Sequence, residues 1–143
     1  MDIFTEIEGR VATLRALLGG DLGIADLAPR MTSLESDALV RALREAAGLT
    51  REIERISIIG AGVAAARSRD EAGRSGLAQS LGHRNPAAMM QDITGAGRAE
   101  AQRHVRLGTA VVAGAAEAGD AAHEDSQGGT ASAPWHAPLT AAL

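Results

Sequence analysis

The chain builds its apolar content almost without aromatic residues, and this limits the folds open to it. Hydrophobic residues make up 45% of the 143 residues, but the only aromatic residues are Phe4 and Trp135. The core must therefore consist of Leu, Ile, Val, Ala and Met. Such side chains suit close packing between helices, whereas sheet faces favour β-branched and aromatic residues. The sequence predicts an all-α fold with long helices.

Several classes of protein are excluded by what the chain lacks. It contains no cysteine, so disulfide scaffolds and thiolate zinc sites are excluded. No basic stretch followed by an apolar run opens the sequence, and no stretch approaches the roughly 18 consecutive apolar residues of a membrane span. We therefore expect no signal peptide, no contact with a membrane, and a location in the cytoplasm.

Residues 1–32 are interpreted as an N-terminal helix followed by a connection. Apolar residues recur at helical spacing over 2–18, and two glycines end this pattern. Residues 19–32 contain Gly, Asp and Pro29, which are typical of a connection between helices.

A proline-free stretch over 34–69 predicts a long helix. Its apolar residues step by threes and fours, close to a heptad pattern: Leu39, Leu43, Ala46, Ile53, Ile56, Gly60 and Val63. Gly48, Gly60 and Gly62 weaken such a helix, so a kink or break is an alternative. An apolar seam over 39–63 needs a partner, which is either another helix of this chain or a second copy of it.

The stretch 77–112 has the proportions of a helix–turn–helix variant, within a predicted helical domain of residues 33–113. Two short helices, one at 77–81 and one beginning at Pro86, precede a longer helix that runs from Arg98 to about residue 112. Proline is well suited to the first position of a helix. Glycines separate the three helices and predict tight turns there.

The C-terminal part changes in composition. Residues 114–133 are rich in Ala, Gly and acidic residues and lack a periodic apolar pattern, so we expect a disordered acidic linker. Residues 134–143 begin with Pro-Trp-His and are typical of the start of a further helix, which would be truncated at Leu143. The sequence therefore suggests a fragment of a longer protein or a shortened open reading frame.

No pattern predicts a catalytic, metal or cofactor site. The four histidines are not spaced three or four residues apart, the spacing that places two ligands on one helix face. Acidic residues of the predicted helices lie beside arginines and are interpreted as solvated ion pairs. A His–Asn nuclease element at His83 and Asn85 would need a β-hairpin, and the region shows no strand-like alternation. We expect neither a cofactor nor a catalytic residue in this chain.

Positive charge is concentrated in one part of the chain. The net charge is −4 and all 14 basic residues are arginine, yet residues 66–113 carry seven Arg against four acidic residues. Four polar residues share one face of the predicted third helix, at about 100° per residue: Arg98, Gln102, Arg103 and Arg106. The opposite face is small and apolar: Ala101, Val105, Gly108 and Val112.

Arginine and glutamine suit contacts with DNA phosphates and base edges. We therefore predict that this polar face contacts duplex DNA, with Arg84 assisting from the preceding turn. The alternative is an ordinary amphipathic helix whose polar face is only solvated.

Three features occur together over residues 33–112: a long Arg/Glu/Ala-rich helix, a short Leu-Gly turn with a short helix, and the element GRAEAQRHVRLG at 97–108. This order resembles the helical N-terminal domain of the actinobacterial domain-of-unknown-function family 222, the thirteen-E-twelve repeat family. The Pro-Trp-His-Ala-Pro segment at 134–138 is similar to the start of that family's next helix. The lysine-free, Arg- and Ala-rich composition fits a high-GC actinobacterium.

Members of this family commonly carry an HNH endonuclease domain near the C-terminus. The resemblance implies that the helical part positions a metal-dependent nuclease on DNA or mediates assembly. No nuclease domain follows the resembling part in this sequence, so no catalytic or metal residue is transferred, and nuclease activity is expected only of a longer parent protein.

We expect a non-catalytic helical domain with an accessory DNA-binding or positioning role. The alternative is a helical oligomerisation or scaffold module that uses the 39–63 seam and makes no nucleic-acid contact.

Overall fold

A computed structural model describes residues 2–69 and 76–127 of the chain, with side chains up to residue 123. Within these residues the chain forms six α-helices and no strand, which confirms the predicted all-α fold. The helices are α1 Ile3–Leu18, α2 Ile24–Thr32, α3 Ser36–Arg69, α4 Leu77–Ser80, α5 Pro86–Thr94 and α6 Arg98–Gln127.

The first helix has clear ends, and a second helix follows it inside the predicted connection. The Asp2 carboxylate accepts a hydrogen bond from the Phe4 N–H at the start of α1, and Gly19 ends α1 with a φ of +108°. The expected connection at 19–32 contains α2, which is a correction to the sequence analysis. Arg30 holds this helix, because its guanidinium donates to the carbonyl oxygens of Leu17 and Leu18 at the end of α1.

Helix α3 is continuous over 34 residues, without the break that its glycines made an alternative. Its first half packs on α1, where the Arg10 guanidinium reaches Glu45 at 3.1 Å and covers Gly48. Its second half packs on α4, α5 and α6 through small buried residues such as Ala61 and Gly62. The helix is therefore the central element, on which α1, α4, α5 and α6 pack.

The core consists mostly of alanine and methionine. One buried cluster contains Ala61, Met90 and Ala101, and the other contains Ala64, Ala78 and Met89. Among the described residues, no large side chain is fully buried. Close approach of the helix backbones therefore replaces the aromatic core that this composition cannot supply.

The predicted helix–turn–helix-like unit is formed by α4, α5 and the first part of α6. Asn85 caps α5, since its Oδ1 accepts a hydrogen bond from the Ala88 N–H at 2.8 Å, and Pro86 occupies the first turn. Gly95 ends α5 in the left-handed conformation, with a φ of +69°. The Ser68 Oγ accepts a hydrogen bond from the Ala78 N–H at 3.2 Å and so ties α4 to α3.

Helix α6 is much longer than predicted. It continues through residues 113–127, which corrects the prediction of a disordered linker starting at residue 114. The side chains at 113–123 are all exposed, so the absence of an apolar pattern reflects a helical segment without a buried face. High intrinsic propensity of alanine favours helix even without packing. The rest of the predicted linker and the predicted helix start at 134–143 lie outside the described residues.

Candidate nucleic-acid interface

The five residues predicted to contact DNA all lie at the surface of the helix–turn–helix-like unit. Arg84 lies in the turn between α4 and α5, and Arg98 is the first residue of α6. The other three follow along α6 and are exposed: Gln102, Arg103 and Arg106. The predicted apolar face of this helix is confirmed, because Ala101 and Gly108 are buried and Val105 and Val112 are half-buried.

Three of these five residues meet in one recess between α5 and α6. The recess has a volume of about 310 Å³, and Arg84, Arg98 and Gln102 line it together with four residues of α5 and its cap: Asn85, Ala87, Ala88 and Gln91. The sequence analysis did not place Asn85 or Gln91 among the residues predicted to contact DNA. Its position five residues after Pro86 places Gln91 in the second turn of α5, but only the packing of α5 on α6 brings it towards Arg98.

The recess is positively charged in a chain of net negative charge. None of the described residues that line it is acidic. Among the side chains described, those of 2–69 and 76–123, no carboxylate lies within ion-pair distance of Arg84, Arg98 or Arg106. Because no carboxylate engages these guanidinium groups, their hydrogen-bond donors are available to an external acceptor.

The start of α6 adds to the electropositive character of the recess. The Gly97 carbonyl accepts the first helical hydrogen bond, from the Ala101 N–H at 2.9 Å, so Gly97 is the N-cap of α6. A glycine offers no side-chain acceptor to the first amide groups of the helix. This helix end therefore carries its partial positive charge beside Arg98.

Arg103 has a different environment from the rest of the predicted set. Its guanidinium donates to Glu54 Oε1 at 2.6 Å and so ties α6 to α3, and it does not line the recess. His104 is buried next to it, with Nε2 lying 3.4 Å from the same oxygen. The hydrogen bond from Arg103, followed by that from His104, holds the pKa of Glu54 below its ordinary value. Arg106 is exposed but lies outside the recess as well.

A second cleft, of about 620 Å³, contains Glu54, Glu100, Arg103 and His104. Its carboxylates flank the imidazole, at 3.4 Å and 4.0 Å from Nε2. Arg103 already occupies the Glu54 carboxylate, so a cation there would have to displace the guanidinium. In the part of the chain that the structure describes, no group of three His, Asp or Glu side chains is arranged to hold a metal ion.

The predicted seam on α3 is largely uncovered. Leu43 and Ile53 are 53% and 50% exposed, and Ile56 and Val63 are exposed as well, while Leu39 is half-buried. The helices α1 and α6 therefore pack on other sides of α3. No helix among the described residues is long and apolar enough to cross a membrane.

Comparisons of the chain with protein-family models, curated proteins and solved structures found no match. The resemblance to family 222 therefore stays a prediction from the sequence.

Proposed function

We propose that the chain is a non-catalytic helical module that binds duplex DNA, as an accessory or positioning part of an HNH-endonuclease-associated protein in the cytoplasm. The observation that carries this proposal is the acid-free recess in which Arg84, Arg98 and Gln102 converge. A basic cluster in an acidic chain favours one localised contact with a polyanion over unspecific attraction by the whole surface. DNA cleavage is assigned to no residue of this chain.

The set of contact residues becomes narrower in this proposal. Arg84, Arg98 and Gln102 form the binding surface, and Arg106 extends it along α6. Arg103 is left out, because its guanidinium is engaged with Glu54. The resemblance to family 222 supports DNA as the polyanion.

Fluorescence anisotropy with a short labelled duplex at about 50 mM salt tests this proposal, since phosphate contacts are strongest at low salt. We expect the unmodified chain to bind, and the Arg98→Gln variant to bind roughly tenfold more weakly. Arg44→Gln is the matched control, because Arg44 is exposed on α3, outside the recess. The proposal fails if the unmodified chain does not bind the duplex.

A second candidate function is a helical oligomerisation or scaffold module. The exposure of Leu43, Ile53, Ile56 and Val63 on one helix favours it, since a long apolar seam is normally covered by another helix. Light scattering on the full chain separates the two candidates. If the chain forms an oligomer, Ile56→Glu should dissociate it and the control Ile24→Glu on α2 should not. That result would support the seam as an interface. A strict monomer at high concentration would remove this candidate.

A further inference from the structure

The recess between α5 and α6 is concave, and its shape bears on what part of a DNA molecule can enter it. Arg84 and Asn85 lie on one wall, in the turn before α5, and Arg98 and Gln102 lie on the other wall, on α6. We propose that this recess takes one backbone phosphate and reads no base. This inference rests on the proposed function and names the chemical group that the same surface binds.

The geometry separates a phosphate from a base edge. A recognition helix presents a convex row of side chains that enters the major groove, which is about 12 Å wide. Here the two residues best suited to base edges, Arg98 and Gln102, open instead onto a cavity that they share with Arg84. A group that projects from the duplex can enter such a cavity, and the phosphate is the group that projects from the backbone.

The chemistry of the lining matches a phosphate. Two guanidinium groups and the side-chain amides of Gln91 and Gln102 supply donors, and the recess contains no acidic side chain among its described residues. Guanidinium groups bind phosphate oxygens through paired hydrogen bonds. The Asn85 Oδ1 is already used by the Ala88 N–H, which leaves its amide NH₂ as a further donor.

The start of α6 strengthens the same preference. Gly97 leaves the first amide groups of this helix without a side-chain acceptor, one residue before Arg98. Helix N-termini bind phosphate through such amides and through the helix dipole. Arg98, the first residue of α6, lines the recess, so the positive end of the helix dipole lies near the same anion.

The salt dependence of DNA binding by the full chain tests this inference. Each phosphate contact contributes about 0.9 to the slope of log affinity against log salt concentration. Because the recess takes one phosphate, we expect the double variant Arg84→Gln/Arg98→Gln to lower the magnitude of the slope by about 1 and to weaken binding at least about tenfold. The loss of affinity should be equal for two duplexes of unrelated sequence. The control pair Arg44→Gln/Arg51→Gln, which makes the same charge change on α3, should leave the affinity and slope near those of the unmodified chain.

A second measurement uses inorganic phosphate and is independent of DNA. In amide NMR spectra of the full chain, we expect added phosphate to shift the side-chain amide signals of Asn85, Gln91 and Gln102, and the double variant to lose these shifts. Chloride at equal ionic strength is the control.

The outcomes distinguish the inference from the proposed function. If phosphate shifts these signals but no duplex binds, the proposed function fails while the recess remains a phosphate site. If a duplex binds and the double variant keeps its affinity and slope, DNA is bound elsewhere and the inference is overturned. A loss that differs between the two duplexes would show base reading and would overturn it as well. Absence of any phosphate-induced shift also overturns it.

Discussion

The backbone of Gly62 lies directly against the backbone of Gly108, where α3 and α6 cross. A Cβ atom added to Gly62 would come within 2.8 Å of the Gly108 Cα, and one added to Gly108 would come within 2.9 Å of the Gly62 Cα. Both neighbours are backbone atoms of packed helices, which cannot turn away as a side chain can. The contact that fixes α6, and with it one wall of the recess, therefore depends on hydrogen atoms in place of side chains.

We expect Gly62→Ala and Gly108→Ala each to lower the free energy of unfolding by about 1–3 kcal/mol, because overpacking outweighs the gain in helix propensity. Gly60→Ala and Gly114→Ala are controls on the same two helices, since a Cβ at either position meets nothing within 4 Å. Gly60→Ala should raise the free energy of unfolding by about 0.5–1 kcal/mol, and Gly114→Ala, in the exposed part of α6, should leave it nearly unchanged. Urea unfolding followed by circular dichroism measures all four, and a Gly108→Ala variant as stable as the unmodified chain would contradict the close contact.

The pairing of Glu54 with Arg103 predicts a pH dependence of stability. Because the pKa of Glu54 is lower in the folded state than in the unfolded state, its ionised form stabilises the fold above the unfolded pKa. This contribution is lost as the pH falls through the folded pKa. We expect the melting temperature of the unmodified chain to exceed that of Glu54→Gln at neutral pH, and the difference to shrink towards about pH 3.

The control for this measurement is Glu8→Gln, which removes the same charge from an exposed position on α1. The difference in melting temperature between Glu8→Gln and the unmodified chain should not shrink with falling pH as it does for Glu54→Gln. A melting-temperature difference for Glu54→Gln that stays constant down to acid pH would argue against a stabilising ion pair between α3 and α6.

Substitution of Gly97 separates helix capping from anion binding. Its φ is not positive, and a Cβ there meets no atom within 4 Å, so both Ser and Asp fit. Either residue is expected to cap α6 and to raise stability by a few tenths of a kcal/mol. Only Gly97→Asp adds a negative charge beside Arg98, and we expect it to bind duplex DNA about five- to tenfold more weakly than Gly97→Ser. Equal affinities of the two variants, measured by anisotropy, would count against an anion at this helix end.

The exposed part of α6 predicts a local effect of proline. Ala118→Pro should lower the helical signal in circular dichroism while leaving the urea midpoint nearly unchanged, because the side chains of residues 113–123 are all exposed. Ala110→Pro makes the same change where α6 still packs on α3. Ala110→Pro should lower the free energy of unfolding by about 3 kcal/mol or more. Similar midpoints for the two variants would mean that the exposed part contributes to the packed body.

Local rules predicted those parts of the fold that depend on neighbouring residues. The start of α5 follows from Asn85 and Pro86, and the break before α6 follows from Gly95, so both were predictable from the sequence. The far end of α6 was not predictable in this way, because an alanine-rich helix without an apolar face shows no periodicity. The same holds for α2, whose end is held by Arg30 reaching back to α1.

The types of residue in the candidate site were predictable from the sequence, but which residues form the site was only partly predictable. Helical spacing placed Arg98 and Gln102 on one face, and the structure brings them together with Arg84. The helical wheel also included Arg103, since a wheel describes one helix and takes no account of its neighbours. Glu54, which pairs with Arg103, lies 49 residues earlier in the chain, and no local pattern indicates that contact.

The alanine and methionine core also sets how the fold responds to temperature. Alanine buries little apolar area per residue, and no large side chain in the described part of the chain is fully buried. The heat capacity of unfolding increases with the apolar area exposed on unfolding. For this chain we expect a value at or below the lower end of the ordinary range of about 12–15 cal/mol/K per residue. A small heat capacity change flattens the stability curve, so stability should vary little between cold and moderate warmth.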